Sequence, residues 1–321
     1  MGFNAQTLRK RTAATVPRTG QQVKVFVVGA TGVMGRSVIR SLHSGGHSVV
    51  GLARDATKAE TLAALDVQPV RGDMFDVRVL AEAFAGCDVV CNVATHVPVG
   101  IYGMRPGAWK VTDRIRSEGA RIVCSAARMA GANRLIQESV SYLYADGGDQ
   151  WIDEDSPVGV NRATEPVVLA EAAAEEFRGP ARESVVLRFG AIIGDDEPTR
   201  WRLDRARSGH PVGVGSPEGW THVVHVDDIG TAVVAALSAP SGIYNVGARP
   251  LQRAELARSF GEAVGRSDAG FMSRLVQRLG GERLEPLCRS QRVSSCKLAQ
   301  QAAWKPKQPE FGVDWLRELV S

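Results

Sequence analysis

No stretch of this sequence approaches the ~20 consecutive apolar residues that a bilayer crossing requires, so no membrane-spanning helix is expected. No two of its five cysteines, Cys87, Cys91, Cys124, Cys288 and Cys296, stand at CxxC spacing, which argues against a zinc knuckle or a dithiol redox centre; no metal site is expected. Cys91 falls in an apolar run and Cys87 beside it, so the set reads as reduced, mostly buried thiols of a cytoplasmic protein. Internal repeats and low-complexity tracts are absent. A basic face for nucleic acid is missing too: the formal charge of +4 is accounted for by Arg9, Lys10, Arg11 and Arg18, which precede Val23 with no acid among them, and the remainder is neutral. These arginines accompany no hydrophobic segment, so residues 1–22 are expected to form a flexible arm rather than a transit peptide.

What is present is a rhythm of strands and helices. The 321 residues, 44% of them apolar, suffice for one large α/β domain with a smaller appended lobe. Val23 to Gly29 is a β-branched run without polar alternation, which suits a strand covered by helices on both faces. Apolar runs recur at His47 to Leu52, Val67 to Arg71, Asp88 to Asn92, Arg134 to Ser139 and Ser184 to Phe189, with helix-like segments such as Leu80 to Phe84 and Gly119 to Ala130 between them. That alternation predicts a doubly wound parallel sheet of the Rossmann type. Beyond Gly194 it loosens, returns at 221–237 and 242–247, and then becomes helical and basic. The expected layout is a nucleotide-binding domain from 23–190 and 222–246, with a discontinuous substrate lobe from 191–221 and 247–321.

Gly29-Ala30-Thr31-Gly32-Val33-Met34-Gly35 follows the first strand and opens a helix. Glycines at this spacing permit a tight turn, close backbone approach to a pyrophosphate and close helix packing, with the helix N-terminus facing the negative charge. Enzymes that prefer NAD usually place an acid ~20 residues further on, at the end of the second strand. Here that strand ends in Arg54, whose guanidinium suits a 2′-phosphate, and Arg36 adds a second cation. Asp55 is the competing carboxylate, but it precedes a helix start at which Thr57 and Glu60 form a capping box. NADPH is therefore the expected coenzyme.

Five segments, GATGVMG, Arg71-Gly72-Asp73-Met74, Asn92-Val93-Ala94-Thr95, Leu187-Arg188-Phe189-Gly190 with Gly194, and Val224-His225-Val226-Asp227-Asp228, stand in the order and at the strand ends of one family. From Val23 to about Val246 the chain resembles the extended short-chain dehydrogenase/reductases, the NAD-dependent epimerase/dehydratase group. In character it is similar to the atypical ketoreductases of angucyclinone biosynthesis, of the simocyclinone type. The resemblance implies that Gly29, Thr31, Gly32, Val33, Met34 and Gly35 hold the pyrophosphate, that Asp73 and Met74 meet the adenine, that Val93, Ala94 and Thr95 line the ribose and pyrophosphate, and that Ala191 and Ile192 lie near the carboxamide. Asp227 and Asp228 read as a structural helix cap.

The chain departs from that family where the chemistry is done. Members use a Ser or Thr, a Tyr, and a Lys four residues after the Tyr. None of the four tyrosines, Tyr102, Tyr142, Tyr144 and Tyr244, has a Lys or Arg four positions on, and no lysine occurs between Lys110 and Lys297. Aligned with the family, Val167 takes the tyrosine position, Glu171 the lysine position and Val140 the serine position, with Ser139 one before it. Orientation of two reactants contributes ~7–11 kcal/mol and a positioned general acid ~3–5.5 kcal/mol, so hydride transfer survives the loss if something else stabilises the alkoxide. A substrate with an acidic hydroxyl beside its ketone supplies that itself, which favours an aromatic, polyketide-like carbonyl. Sugar-nucleotide epimerases and dehydratases need the absent base. The other reading is a sensor that binds NADP(H) without turnover. Auxiliary polar candidates are Thr95, His96, Ser139, Ser141 and Tyr142; Trp109, Trp201 and Trp220, with Arg200 and Arg202, fall in segments expected to cover an aromatic substrate.

Overall fold

The structure, a computed structural model, describes residues 22–105, 107–267 and 269–320. Nearly all of the arm expected over 1–22 lies outside the described residues. The first half alternates strand and helix: β1 (Lys24–Val28), α1 (Val33–Ser44), β2 (Ser48–Ala53), α2 (Ala56–Ala63), β3 (Gln68–Arg71), α3 (Val77–Phe84) and β4 (Val89–Asn92). After a 3₁₀ turn at Gly100–Met104 come α4 (Lys110–Arg114), a π turn at Ile115–Gly119, α5 (Ala120–Ala130) and β5 (Arg134–Val140). The short β6 (Trp151–Ile152) precedes α6 (Glu165–Phe177), β7 (Glu183–Phe189), β8 (Ala191–Ile193) and α7 (Glu197–Arg207). Then follow β9 (Trp220–Thr221), β10 (Val223–His225), α8 (Val226–Ala236) and β11 (Gly242–Val246).

Seven of these strands form one parallel sheet in the order β11-β7-β5-β4-β1-β2-β3, the doubly wound arrangement expected from the sequence. Val25 and Val27 of β1 face a core built with α1, α2 and α8, whereas Phe26 and Val28 face another built with α3, α5 and α6. Both faces are dry, which is why the run lacks alternation. Chain direction reverses its order of travel between β1 and β4, and at such a switch point the C-terminal strand ends open a crevice.

A third core gathers Ile193, Leu203, Val223, Leu251, Phe260, Phe311 and Trp315 from β8 onward to the C-terminal segment. The C-terminal chain runs through β12 (Leu251–Gln252), α9 (Arg253–Ala263), α10 (Arg274–Leu279), α11 (Gly281–Cys288), β13 (Arg292–Val293) and α12 (Cys296–Ala302), of which β12 and α9 contribute to this core. One stretch differs from the expected division: Leu298 of α12 and Trp304 pack into the main core rather than the lobe, because the Trp304 indole donates to Thr231 of α8 at 3.0 Å.

Two local expectations are corrected. Helix α2 is capped by Asp55, whose carboxylate accepts from Lys58 N at 2.8 Å, so Thr57 and Glu60 lie inside the helix and form no capping box. Helix α8 is capped by His225; Asp228 instead accepts from Lys307 N and Gln308 N, at 2.6 and 3.0 Å, and pins the C-terminal segment to the helix, while Asp227 pairs with Arg40 at 2.8 Å. Among the described residues no helix is long and apolar enough to cross a membrane, and no cluster of His, Cys, Asp and Glu has the geometry of a metal site.

Candidate active site

Parallel strands bring all their following turns to one edge, and there the sequence-selected residues gather. Gly29 leaves β1 at φ +84°, and a Cβ there would stand 2.7 Å from the Ala94 backbone after β4; only glycine lets the two turns meet. A Cβ on Gly35 would stand 2.3 Å from the Gly29 carbonyl oxygen, so this glycine lets α1 dock against the turn. Thr31 and Gly32 carry the chain into α1, followed by Val33 and the buried Met34. No side chain caps α1 and no acid occupies its first turn, which leaves its N–H groups facing the crevice. Beside it the Thr95 hydroxyl is buried with no hydrogen-bond partner among the described residues. Glycine cradle, uncapped helix end and orphaned hydroxyl together fit a dinucleotide pyrophosphate and its ribose.

Arg54, at the end of β2, is exposed and makes no hydrogen bond or ion pair among the described residues. Its neighbour Asp55 is turned away to cap α2. Arg36 is also exposed and donates to the Thr31 carbonyl at 3.1 Å. After β3, Asp73 accepts from Phe75 N, and Met74 lies against Gly119 of the π turn. Val93 is buried, and Ala94, Ala191 and Ile192 are half-buried at the same edge.

The positions that would carry the family's proton relay are filled differently. Glu171 of α6 accepts from Arg188 Nε at 2.8 Å and Nη2 at 2.7 Å, and from the Ser139 hydroxyl at 2.5 Å. Arg188 in turn lies over the Tyr144 ring, 4.7 Å from its centroid. A lysine at 171 would face this guanidinium, so the glutamate is the residue the pair requires. Val140 and Val167 pack together in a small apolar cluster with Leu143, Tyr142 and Val168. Of the auxiliary candidates, Ser139 is committed to Glu171, and buried Ser141 to the His222 ring at 3.0 Å. Burial pushes the His222 imidazole down to about 3, so it is neutral, with its other nitrogen 3.3 Å from the Ser295 hydroxyl. His96 is exposed, and its carbonyl accepts from Thr112. Thr95 and Tyr142 retain hydroxyl capacity.

One buried group escaped sequence reasoning. Arg116, in the π turn, forms an ion pair with Glu138 of β5 at 2.6 Å, with both side chains almost wholly buried. Burial opposes the charge on Arg116, but Glu138 overrides it and holds the guanidinium protonated. A signal existed: a glutamate within a strand covered on both faces demands a partner.

The residues expected to cover an aromatic substrate each have partners of their own. The Trp109 indole donates to the Gly103 carbonyl at 2.8 Å, and Arg283, paired with Asp113 at 2.5 Å, lies over its ring. Trp201 abuts Gly100, and Arg205 lies over its ring. Burial destabilises the charge on Arg202, which Asp196 partly offsets; no hydrogen bond to its side chain exists among the described residues. Arg200 pairs with Asp195 at the surface. Trp220 donates to Asp149 at 2.9 Å and stacks under Arg292.

Fold and crevice define a Rossmann-type nucleotide-binding protein of the extended kind. The chain belongs to the NAD dependent epimerase/dehydratase family, whose profile matches residues 25–247. It is 32% identical to a 3-diazoavenalumate denitrifying reductase of a Streptomyces species over 239 residues, 70% of this chain and 75% of that one. It is 30% identical to the 4-hydroxy-2-methyl-3-oxo-4-farnesyl-3,4-dihydroquinoline-1-oxide ketoreductase of Stigmatella aurantiaca over 54% of this chain, a match that spans 52% of that relative's length. Among solved structures it superposes on the human epimerase family protein SDR39U1 with NADPH at a TM-score of 0.76 and 23% identity, covering 92% of this chain and 99% of that one.

Proposed function

We propose that this protein reduces the carbonyl of an aromatic, polyketide-like substrate with NADPH. The chain is an oxidoreductase acting on a carbonyl or hydroxyl group, as its reductase and ketoreductase relatives are. The observation that carries the finer reading is the locked triad of Glu171, Arg188 and Ser139. An acid sits where the family's lysine would lower a tyrosine pKa, and valine sits where that tyrosine would stand.

The bound coenzyme would supply the hydride. The chain's own work is to hold and shield. Gly29 and Gly35 let the backbone approach a pyrophosphate, Thr95 offers its orphaned hydroxyl beside it, and Arg54 receives a 2′-phosphate at a strand end where the adjoining Asp55 is engaged in capping α2. Without a relay from the protein, the developing alkoxide takes its proton from a hydroxyl on the substrate itself, which an aromatic ring with a phenol beside the reacting ketone provides. The Stigmatella relative, a ketoreductase of an oxo group on a dihydroquinoline, is in keeping with such a substrate. The free thiols, three of them buried, suit a cytoplasmic setting.

Single-turnover mixing of protein, NADPH and a panel of polycyclic quinones tests the reading: an isolated alcohol product is expected. Persistent reduced-coenzyme absorbance across the panel would support the second reading, a sensor that binds NADP(H) without turnover, which the missing Tyr/Lys pair favours. Arg54→Ala should weaken NADPH binding at least about 10-fold with little effect on NADH; equal losses would refute the 2′-phosphate contact.

A further inference from the structure

Of the four tyrosines, three are accounted for. Tyr144 and Tyr244 are fully buried, the first donating to Asn245 and the second in hydrogen-bond contact with Pro240 O and the Gln301 side chain, and burial pushes the Tyr144 phenol up to about 12. Tyr102 is exposed on the turn at Gly100–Met104. Tyr142 is different. Its half-buried ring packs against the cluster of Val140 and Val167, the two positions from which serine and tyrosine hydroxyls would otherwise reach a substrate. Its oxygen faces Arg116 Nη1 at 3.5 Å, a long contact from a cation that Glu138 fixes in place. Because the phenol oxygen accepts from the guanidinium, its own O–H is left to donate, and it has no acceptor among the described residues. Arg116 Nε and Glu138 Oε2 are likewise buried with no hydrogen-bond partner among the described residues. A polarised hydroxyl donor backed by a buried cation therefore stands beside the positions of the family's serine and tyrosine, and neither group belongs to the cofactor cradle.

We infer that Tyr142 binds an anionic oxygen of the substrate, a phenolate beside the reacting carbonyl, and that Arg116 is its positioning residue. The inference rests on the reading of the site as one for aromatic carbonyls. A bound dihydronicotinamide would supply the hydride; as the carbonyl carbon takes it up, the C=O electron pair moves onto oxygen. That oxygen takes the proton of the adjacent phenol, whose O–H bond breaks, and the phenolate so formed receives the Tyr142 hydrogen bond. Tyr142 gives up no proton. A hydrogen bond to a charged oxygen changes affinity by about 10- to 100-fold.

The test is a titration of the full chain, loaded with NADP+ so that nothing turns over, with a peri-hydroxylated anthraquinone and with its O-methyl ether. The wild type should bind the hydroxylated compound more tightly as pH rises through that compound's phenol pKa. Tyr142→Phe, which removes one atom and leaves the packing, should lose about 10- to 100-fold on the phenolate and nothing on the ether. Arg116→Lys should narrow the same preference in the wild-type background and change nothing further once Tyr142 is Phe, because its effect passes through that hydroxyl. Equal loss on both ligands, no loss on either, or no binding by the wild type overturns the inference. With NADPH in place, a fall of about 10²-fold or more in turnover of the ether by Tyr142→Phe would also overturn it, by making Tyr142 the proton donor. If the wild type discriminates as expected yet oxidises no NADPH, the reductase reading fails while the phenolate site stands.

Discussion

Glu171 shows how one residue can decide a site by its partners. Restoring the family's lysine there would not restore the relay, since Glu171→Lys sets two cations against each other and leaves Arg188 buried without its counter-ion. Breaking such a pair costs about 3–5 kcal/mol, so urea denaturation of Glu171→Lys should show a loss of that order, and the swap Glu171→Lys with Arg188→Glu should recover part of it. Recovery of nothing would mean that Ser139, rather than the charge pair, governs the position. Gly29→Ala should lose stability by about 1–3 kcal/mol and abolish coenzyme binding, because the added Cβ meets Ala94 backbone that cannot yield. Calorimetry with NADPH measures the second effect. Both positions were legible as residues: the glycine from its motif, the glutamate from the alignment. Arg188 as the partner was not, because it lies 17 residues further on and reaches Glu171 only from the neighbouring strand β7.

At the scale of elements, the strands were readable because a sheet covered on both faces needs unbroken apolar runs, and β1 to β5 lie within two residues of where those runs stand. The helix before β5 was not. Apolar spacing predicts it from Gly119, whereas it starts at Lys110 and passes through a π turn at Ile115–Gly119. That turn carries Arg116 to Glu138 and Tyr142, and nothing in local propensity announces a buried cation. Asp228 likewise acts between elements: it receives two backbone N–H groups from the segment after α12. Asp228→Ala should orphan both donors, cost about 1–3 kcal/mol, and open the chain near Lys305 to limited trypsin digestion before global unfolding. Protection equal to the wild type would show that Trp304 alone holds the segment.

For the whole molecule, His222 couples stability to pH. It is wedged where Gly190, Gly247, Ser141 and Ser295 meet, joining the main sheet to the lobe. Its folded-state pKa of about 3 lies below the ordinary value of 6.5, so the unfolded chain binds the proton more readily. Stability from this group is fully present above about pH 6.5 and is lost as pH falls toward 3, by about 2 kcal/mol at pH 5. Urea midpoints measured between pH 7 and 5 should fall accordingly, and a His222→Asn variant should show a shallower slope; identical slopes would place the acid sensitivity elsewhere. What the amino-acid order determined by itself was the parallel sheet, the glycine turn for a dinucleotide and the loss of the Tyr/Lys spacing, since each depends on residues close together in the chain. Tertiary structure alone decided which cation meets which acid. Arg116 with Glu138, Arg188 with Glu171, and Tyr142 against Val167 each join segments from different elements, and low-dielectric burial makes those pairings either stabilising or costly by several kcal/mol according to geometry that only the packed sheet supplies.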